Sequence, residues 1–109
     1  MSQYHSIRED VLQKIESSLP EIRELFGIET LGVFGSVSRG EDTVESDVDI
    51  LYRFQEGRGR LREFVGLAEY LEELFGRKVE LISLDYVDIQ IKSSIREDAV
   101  LYGENPVIA

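Results

Sequence analysis

The chain has 109 residues, a length typical of one domain, which we predict to span residues 1–109. It contains 12 Lys and Arg against 22 Asp and Glu, and the resulting net charge of −10 disfavours direct, sequence-independent binding to nucleic acid. The absence of cysteine excludes disulfides and thiolate chemistry, and the single histidine, His5, excludes a Ser–His triad built on a central histidine.

The first half of the chain is predicted to form a helix, a strand, a short turn and a second strand. Apolar residues recur every three or four positions over residues 7–26, which is the period of an amphipathic helix. Pro20 is expected to kink or break this helix, because proline has no N–H to donate, and Gly27 stands where the helix ends. Residues 28–34 read as a strand, followed by a turn or short helical segment. Residues 48–54 read as a second strand, covered on both faces.

The second half is predicted to alternate between helix and strand. The apolar positions of residues 61–75 define an amphipathic helix that ends at Gly76. Residues 78–84 read as a third strand and residues 88–98 as a closing helix. Residues 100–102 read as a short edge segment, after which the last residues are expected to fray.

The order of these elements predicts the fold class. Helices that alternate with strands across short connections predict an α/β (α+β) fold, in which the helices pack on a small sheet. About a dozen residues connect the first two strands, which is short enough for antiparallel pairing, so we expect a mixed sheet. No apolar stretch approaches the roughly 20 residues of a membrane span, and the N-terminal sequence lacks the apolar region of a signal peptide. We therefore expect a cytoplasmic protein with no membrane partner.

Two aspartates lie in the most informative segment, GSVSRGEDTVESDVD, which spans residues 35–49. Asp47 and Asp49 are two positions apart at the start of a strand, so their carboxylates are expected to point to the same face. Because adjacent carboxylates repel each other, Mg²⁺, which prefers oxygen ligands, is a candidate to bind between them. On these two residues alone, a solvated acidic turn is the alternative interpretation.

Gly35 and Ser36 directly follow the first strand. A glycine at this position permits a positive φ or a close approach of the backbone. Ser36 is expected to cap the following short helix, whose free N–H groups would then face an anion. Arg39, in the same turn, is a candidate phosphate contact. An ordinary helix cap and a surface arginine remain the alternatives, because the segment lacks the Walker P-loop pattern.

Glu80 is a charged residue inside an otherwise apolar third strand. It shares a strand face with Ile82 and Leu84, and burial of an unpaired carboxylate is costly. Two interpretations stay open. Either Glu80 lies at an exposed strand end, or it faces the same site as Asp47 and Asp49.

Together, G-S-x-x-R-G, S-D-x-D and an acid on a later strand form a pattern that resembles the nucleotidyltransferase superfamily typified by DNA polymerase β and kanamycin nucleotidyltransferase. At this length the chain is similar to minimal nucleotidyltransferase (MNT) domains, the antitoxins of HEPN–MNT toxin–antitoxin pairs. The resemblance covers most of the chain, through LGVFGSVSRG, ESDVDILYRF, KVELIS and VLYG. It implies the polymerase β-like nucleotidyltransferase fold.

The resemblance also implies how the nucleotide is bound. Gly35 and Ser36 match the G-S pair that holds the triphosphate in this superfamily. Arg39 and Gly40 match its R-G pair, which makes Arg39 a phosphate contact. The implied nucleotide substrate is ATP, although these motifs do not specify the base.

The resemblance assigns the acidic residues to metal binding and catalysis. Asp47 and Asp49 match the paired ligands that hold two Mg²⁺ ions in the superfamily. Glu80 stands where many minimal members have Asp, and the match implies that it is a third metal ligand and a proton acceptor. Its longer side chain could alter the spacing of the metals.

The reaction implied is the transfer of AMP from ATP to a hydroxyl group with release of pyrophosphate. For an MNT domain, the implied acceptor is a tyrosine of a cognate HEPN ribonuclease toxin. Two alternatives remain open at this point. The chain could neutralise its toxin by binding alone, without catalysis, or it could be a free-standing enzyme that modifies a small hydroxylated molecule.

Overall fold

The computed structural model describes residues 3–103 of the chain. Its elements are α1 (Arg8–Phe26), β1 (Ile28–Phe34), α2 (Gly35–Arg39), β2 (Val48–Phe54), α3 (Leu61–Phe75), β3 (Val79–Ser83), α4 (Ile89–Asp98) and β4 (Val100–Gly103). The predicted order of helices and strands is confirmed. The expected fraying of the last residues concerns residues 104–109, which lie outside the described residues. In the described part of the chain, no helix is long and apolar enough to cross a membrane.

The four strands form one mixed sheet in the order β3–β2–β1–β4. β1 pairs antiparallel with β2 and with β4, whereas β2 and β3 are parallel, so the predicted mixed sheet is confirmed. The register places Phe34 opposite Asp49, and Asp49 opposite Glu80. The end of β1 and the beginnings of β2 and β3 therefore meet at one end of the sheet.

Helices pack on both faces of this sheet. α1 and α3 cover one face, and the main core there includes Val11, Ile15, Ile22, Leu31, Ile50, Leu67 and Leu71. α4 packs on the other face, where Leu51, Leu84 and Ile95 form a second buried cluster. Because successive side chains of a strand alternate between its faces, Asp49 lies on the same face of β2 as Leu51. Asp49 therefore points to the α4 side of the sheet.

Pro20 lies inside α1, which continues on both sides of it, so the predicted break is wrong. A proline within a helix removes one backbone hydrogen bond and costs about 3 kcal/mol. Val11 and Ile15 before the proline and Ile22 after it are all fully buried in the main core. Each buried side chain of this size contributes about 1.5–3 kcal/mol, so packing outweighs the cost and keeps both halves in one helix.

Candidate active site

Gly35 lets β1 turn directly into α2 beneath the carboxylate of Asp49. Its φ is +77°, in the left-handed region that L side chains rarely adopt, so the expected positive φ is confirmed. A Cβ atom at this position would collide with Oδ2 of Asp49. Glycine is therefore required here both for the backbone conformation and for the close approach of the Asp49 side chain.

Ser36 is the second residue of α2 and does not cap the helix, so that expectation is wrong. The N-cap residue is Phe34, and no side chain forms a capping hydrogen bond there. The physical reason is that Gly35 makes the sharp turn itself, which starts the helix one residue before Ser36. The Ser36 carbonyl accepts the N–H of Glu41 at 2.8 Å and helps to close α2 at Gly40, whose φ is +71°.

Asp49 and Glu80 lie side by side on β2 and β3, where they are register partners. Asp49 is half-buried, and Glu80 lies exposed near the beginning of β3, as one of its two interpretations expects. Asp47, one residue before β2, is exposed. Burial, the charge and hydrogen bond of Glu80, and the charge of Asp47 raise the pKa of Asp49 to about 6, against the opposing charge of Arg39. Glu80 and Asp47 are therefore both close enough to Asp49 to influence its carboxylate.

Arg39 ends α2 and is engaged in two ion pairs. Its Nε donates to Oε1 of Glu41 at 2.7 Å, and its Nη1 donates to Oδ2 of Asp98, at the end of α4, at 3.4 Å. The hydrogen bond to Glu41 is the main reason why the pKa of Arg39 lies above its usual value. A guanidinium that already donates to two carboxylates near Asp49 can donate to a phosphate oxygen in place of one of them.

The carboxylates suit a hard divalent cation that is bound partly by the substrate. Among residues 3–103, no group of three or more His, Cys, Asp or Glu side chains is arranged to hold a metal ion by itself. Mg²⁺, however, usually binds one or two carboxylates and takes its other ligands from water and substrate phosphates. Burial first, and then the neighbouring acidic groups, raise the pKa of Asp49, and a bound cation would offset both effects by favouring the charged carboxylate. The residues present therefore fit Mg²⁺.

Asp42, in the loop between α2 and β2, is a buried acid that the sequence analysis missed. Only 6% of it is exposed, and it accepts hydrogen bonds from the Tyr4 hydroxyl at 2.5 Å, the Ser6 hydroxyl and the Ile7 N–H at 3.1 Å. Burial alone would raise the pKa of Asp42, but these hydrogen bonds outweigh it and the pKa lies below its usual value. Nothing in the polar sequence of this loop distinguishes Asp42 from its exposed neighbours.

Arg77, between α3 and β3, is a second anchor of the same loop that the sequence analysis missed. Its Nη1 donates to the carbonyl oxygens of Thr43 at 3.0 Å and Ser46 at 2.9 Å. Its Nη2 donates to the Tyr4 hydroxyl at 2.8 Å, and the guanidinium lies 5.7 Å from the centroid of the Tyr4 ring, within cation–π range. The loop that leads to Asp47 is therefore tied to the beginning of the described chain and to the beginning of β3.

Comparisons with known proteins agree with this geometry. Residues 15–103 match the family model described as "Nucleotidyltransferase domain". The chain is 42% identical over 93 residues to the protein adenylyltransferase MntA of Thermococcus cleftensis, and the alignment covers 82% of this chain and 93% of that protein.

Two solved structures extend the comparison. One, described as a provisionally assigned minimal nucleotidyltransferase, is 31% identical with a TM-score of 0.71, covering 85% of this chain and 93% of that chain. The other is a complex of a tri-AMPylated HEPN toxin of Shewanella oneidensis with an MNT antitoxin. The matching chain is 17% identical with a TM-score of 0.59, and the match covers 89% of this chain and 73% of that chain. At this identity the comparison shows similarity of fold alone. The family model and the MntA relative bear out the resemblance seen in the motifs. The chain thus belongs to the nucleotidyltransferase domain family and is a minimal nucleotidyltransferase.

Proposed function

We propose that this chain is a Mg²⁺-dependent protein adenylyltransferase that transfers AMP from ATP to a tyrosine of a cognate HEPN ribonuclease toxin. In this proposal it is the antitoxin of the pair and acts in the cytoplasm. The observation that carries the proposal is the meeting of Asp49, Glu80 and the Gly35 turn at one end of the sheet. Two comparisons support it, since one relative is named a protein adenylyltransferase and one structural neighbour holds an AMPylated HEPN toxin.

In the proposed site, Asp47, Asp49 and Glu80 hold two Mg²⁺ ions through their carboxylate oxygens. The bound metal supplies positive charge that polarises the α-phosphate and stabilises the oxygens which attack and leave. Asp49 is the central ligand, because its half-buried carboxylate lies over Gly35 and beside Glu80. Asp47 and Glu80 are exposed, so they face the side from which a nucleotide and an acceptor can approach.

The Gly35–Arg39 helix forms the phosphate side of the proposed site. The bond that breaks joins the α-phosphate to the β-phosphate, so negative charge develops on the leaving pyrophosphate. Arg39 neutralises this charge, in line with its exposure and its position beside the carboxylates. The weaker of its two ion pairs, the one with Asp98 at 3.4 Å, is the one that a phosphate oxygen replaces. Gly35 and Ser36 bring the backbone close to the triphosphate. Gly40 ends α2, so Arg39 is the last residue of this helix.

In the proposed site, Glu80 lies on the side from which the acceptor hydroxyl approaches. The bond that forms joins the acceptor oxygen to the α-phosphorus, and the hydroxyl proton has to leave as that bond forms. The Glu80 carboxylate is exposed at the start of β3 and accepts this proton as a general base. Protein hydroxyls can reach an exposed carboxylate more easily than a buried one, which suits a macromolecular acceptor.

The transfer itself is tested with ATP labelled on either its α- or its γ-phosphate. The chain is incubated with Mg²⁺, host extract and each labelled ATP in turn, with Asp49→Asn as the inactive control. We expect a labelled protein band only from α-labelled ATP and only with the parent chain. A band labelled by γ-labelled ATP would indicate a kinase, and a parent chain that labels nothing and turns over no ATP would contradict the proposal.

Glu80→Gln separates the proposed catalytic role from that of a solvated strand end. We expect AMP transfer to fall by about 10²–10⁴-fold, the usual contribution of a general base, while the affinity for Mg-ATP changes only modestly. Steady-state kinetics and a calorimetric titration measure the two quantities. Glu73→Gln, on the exposed surface of α3, is the matched control. Unchanged turnover in Glu80→Gln would remove Glu80 from the site.

A further inference from the structure

The loop of residues 40–47 delivers Asp47 to the candidate site, and its own hydrogen bonds are few and local. Ser46 N–H donates to the Thr43 carbonyl at 3.1 Å, and Thr43 N–H donates to the Ser46 hydroxyl at 2.8 Å. Thr43, Val44 and Glu45 are exposed, so this stretch of the loop makes little apolar contact with the core. The shape of the loop therefore depends on side chains that reach it from elsewhere in the chain.

Two anchors hold the loop: Arg77 reaches it from the segment before β3, and residues at the beginning of the described chain bind the loop's own Asp42. Arg77 binds the Thr43 and Ser46 carbonyls, and the second of these belongs to the residue that directly precedes Asp47. Asp42 accepts hydrogen bonds from the Ser6 hydroxyl and the Ile7 N–H. The Tyr4 hydroxyl joins the two anchors, because it donates to Asp42 and accepts from Arg77. One continuous network therefore spans the loop.

We propose that Arg77 and Asp42 are positioning residues that hold Asp47 in the geometry needed for metal binding. This inference rests on the proposed function, in which Asp47 is a metal ligand. Asp47 is exposed and lies outside β2, so the strand register does not restrain it as it restrains Asp49. The network supplies that restraint by fixing the peptide unit on the N-terminal side of Asp47.

An arginine is suited to this task, and a lysine is a poor substitute. The planar guanidinium presents several N–H donors in a fixed arrangement, and here one nitrogen reaches two carbonyls while the other reaches Tyr4. An ammonium group would have to make all three bonds from a single nitrogen. Residues that orient metal ligands typically change metal affinity by about 10–100-fold when they are replaced.

The test replaces Arg77 by Ala and measures the loop and the metal separately. Hydrogen exchange of the metal-free protein reports on the loop, and we expect the amides of Thr43 and Ser46 to exchange faster. Mn²⁺ binding, followed by electron paramagnetic resonance, reports on the site, and we expect the affinity to fall by about 10–100-fold. Compared with Arg77→Ala, the Arg77→Lys variant should recover neither the slow hydrogen exchange of the loop nor the Mn²⁺ affinity of the parent in full.

Arg58→Ala is the matched control, because Arg58 also ties a loop to a backbone carbonyl, that of Glu24, but does so near the beginning of β1. We expect Arg58→Ala to leave Mn²⁺ affinity and the exchange of residues 40–47 as in the parent. If Arg77→Ala does not fold, Tyr4→Phe removes only the bridging hydroxyl, and a smaller change in the same direction is expected.

Two results would overturn the inference. One is parental Mn²⁺ affinity in Arg77→Ala with a loosened loop, which would make the network purely structural. The other is unchanged exchange of Thr43 and Ser46, which would mean that Arg77 does not hold the loop. Failure of the proposed function gives a different pattern, since the parent chain itself would then show no AMP transfer and no dependence of Mn²⁺ binding on Asp47.

Discussion

Asp47→Asn and Asp49→Asn are each expected to lower AMP transfer by about a thousandfold or more. In the proposed site, loss of either carboxylate would remove a ligand from a cation that contributes several kcal/mol to the transition state, and each 1.36 kcal/mol corresponds to a factor of ten in rate. Transfer is measured with α-labelled ATP and the toxin substrate. Asp10→Asn, on the surface of α1, is the control for the loss of one negative charge.

The same variants should be folded, and Asp49→Asn should be more stable than the parent when EDTA is present. The half-buried Asp49 carboxylate is disfavoured by burial and by its acidic neighbours, and amide replacement removes that cost. With allowance for solvent screening we expect a gain of about 1 kcal/mol, or about 4–8 °C in Tm. Mg-ATP should raise the Tm of the parent chain but not the Tm of Asp47→Asn or Asp49→Asn. Near-parental transfer in either variant would refute the metal assignment.

The second large effect concerns the partner. Incubation of the HEPN toxin with this chain, ATP and Mg²⁺ is expected to add one or more AMP units to a toxin tyrosine and to abolish the toxin's RNase activity. A nucleotide attached beside a ribonuclease centre places bulk and negative charge where the phosphate of the RNA has to bind. Intact-mass spectrometry of the toxin measures the number of units, and an RNA-cleavage assay measures the loss of activity.

Two controls separate modification from simple binding. Asp47→Asn should leave the toxin mass unchanged and the RNase active after the proteins are separated. A toxin that carries Phe in place of the modified tyrosine should accept fewer AMP units from the parent chain. Toxin that is neutralised without any change in mass, and equally well by Asp47→Asn, would mean that the chain acts by binding alone.

The elements of the fold could be predicted because their signals are local. Apolar residues at helical spacing end at Gly27 and at Gly76, and both glycines take the left-handed conformation that ends α1 and α3. One exception to this local prediction is Pro20. Pro20 was expected to kink or break α1, but the helix is not broken because packing on both sides of the proline holds it together, and packing is not a local property of the sequence.

The candidate site could be predicted only in part, for a similar reason. Asp47 and Asp49 are two residues apart in the sequence, so their proximity is a local property of the chain, although only Asp49 lies within β2. Glu80 joins them through the register of β2 and β3, which the spacing of residues left open. Arg77 and Asp42 act on the site through contacts over more than 30 residues of chain, for which the sequence has no periodic signal.

The contact between Gly35 and Asp49 makes the residues allowed at position 35 depend on whether Asp49 is retained. The Asp49 carboxylate occupies the volume that any side chain at position 35 would need. A descendant that gave up catalysis and lost the aspartate would be released from this steric constraint, and only the positive φ would still limit position 35. Because Asn and Asp tolerate that conformation better than other non-glycine residues, they are the replacements such a lineage could accept. A side chain at position 35 is therefore expected only in descendants that have also lost the Asp49 carboxylate.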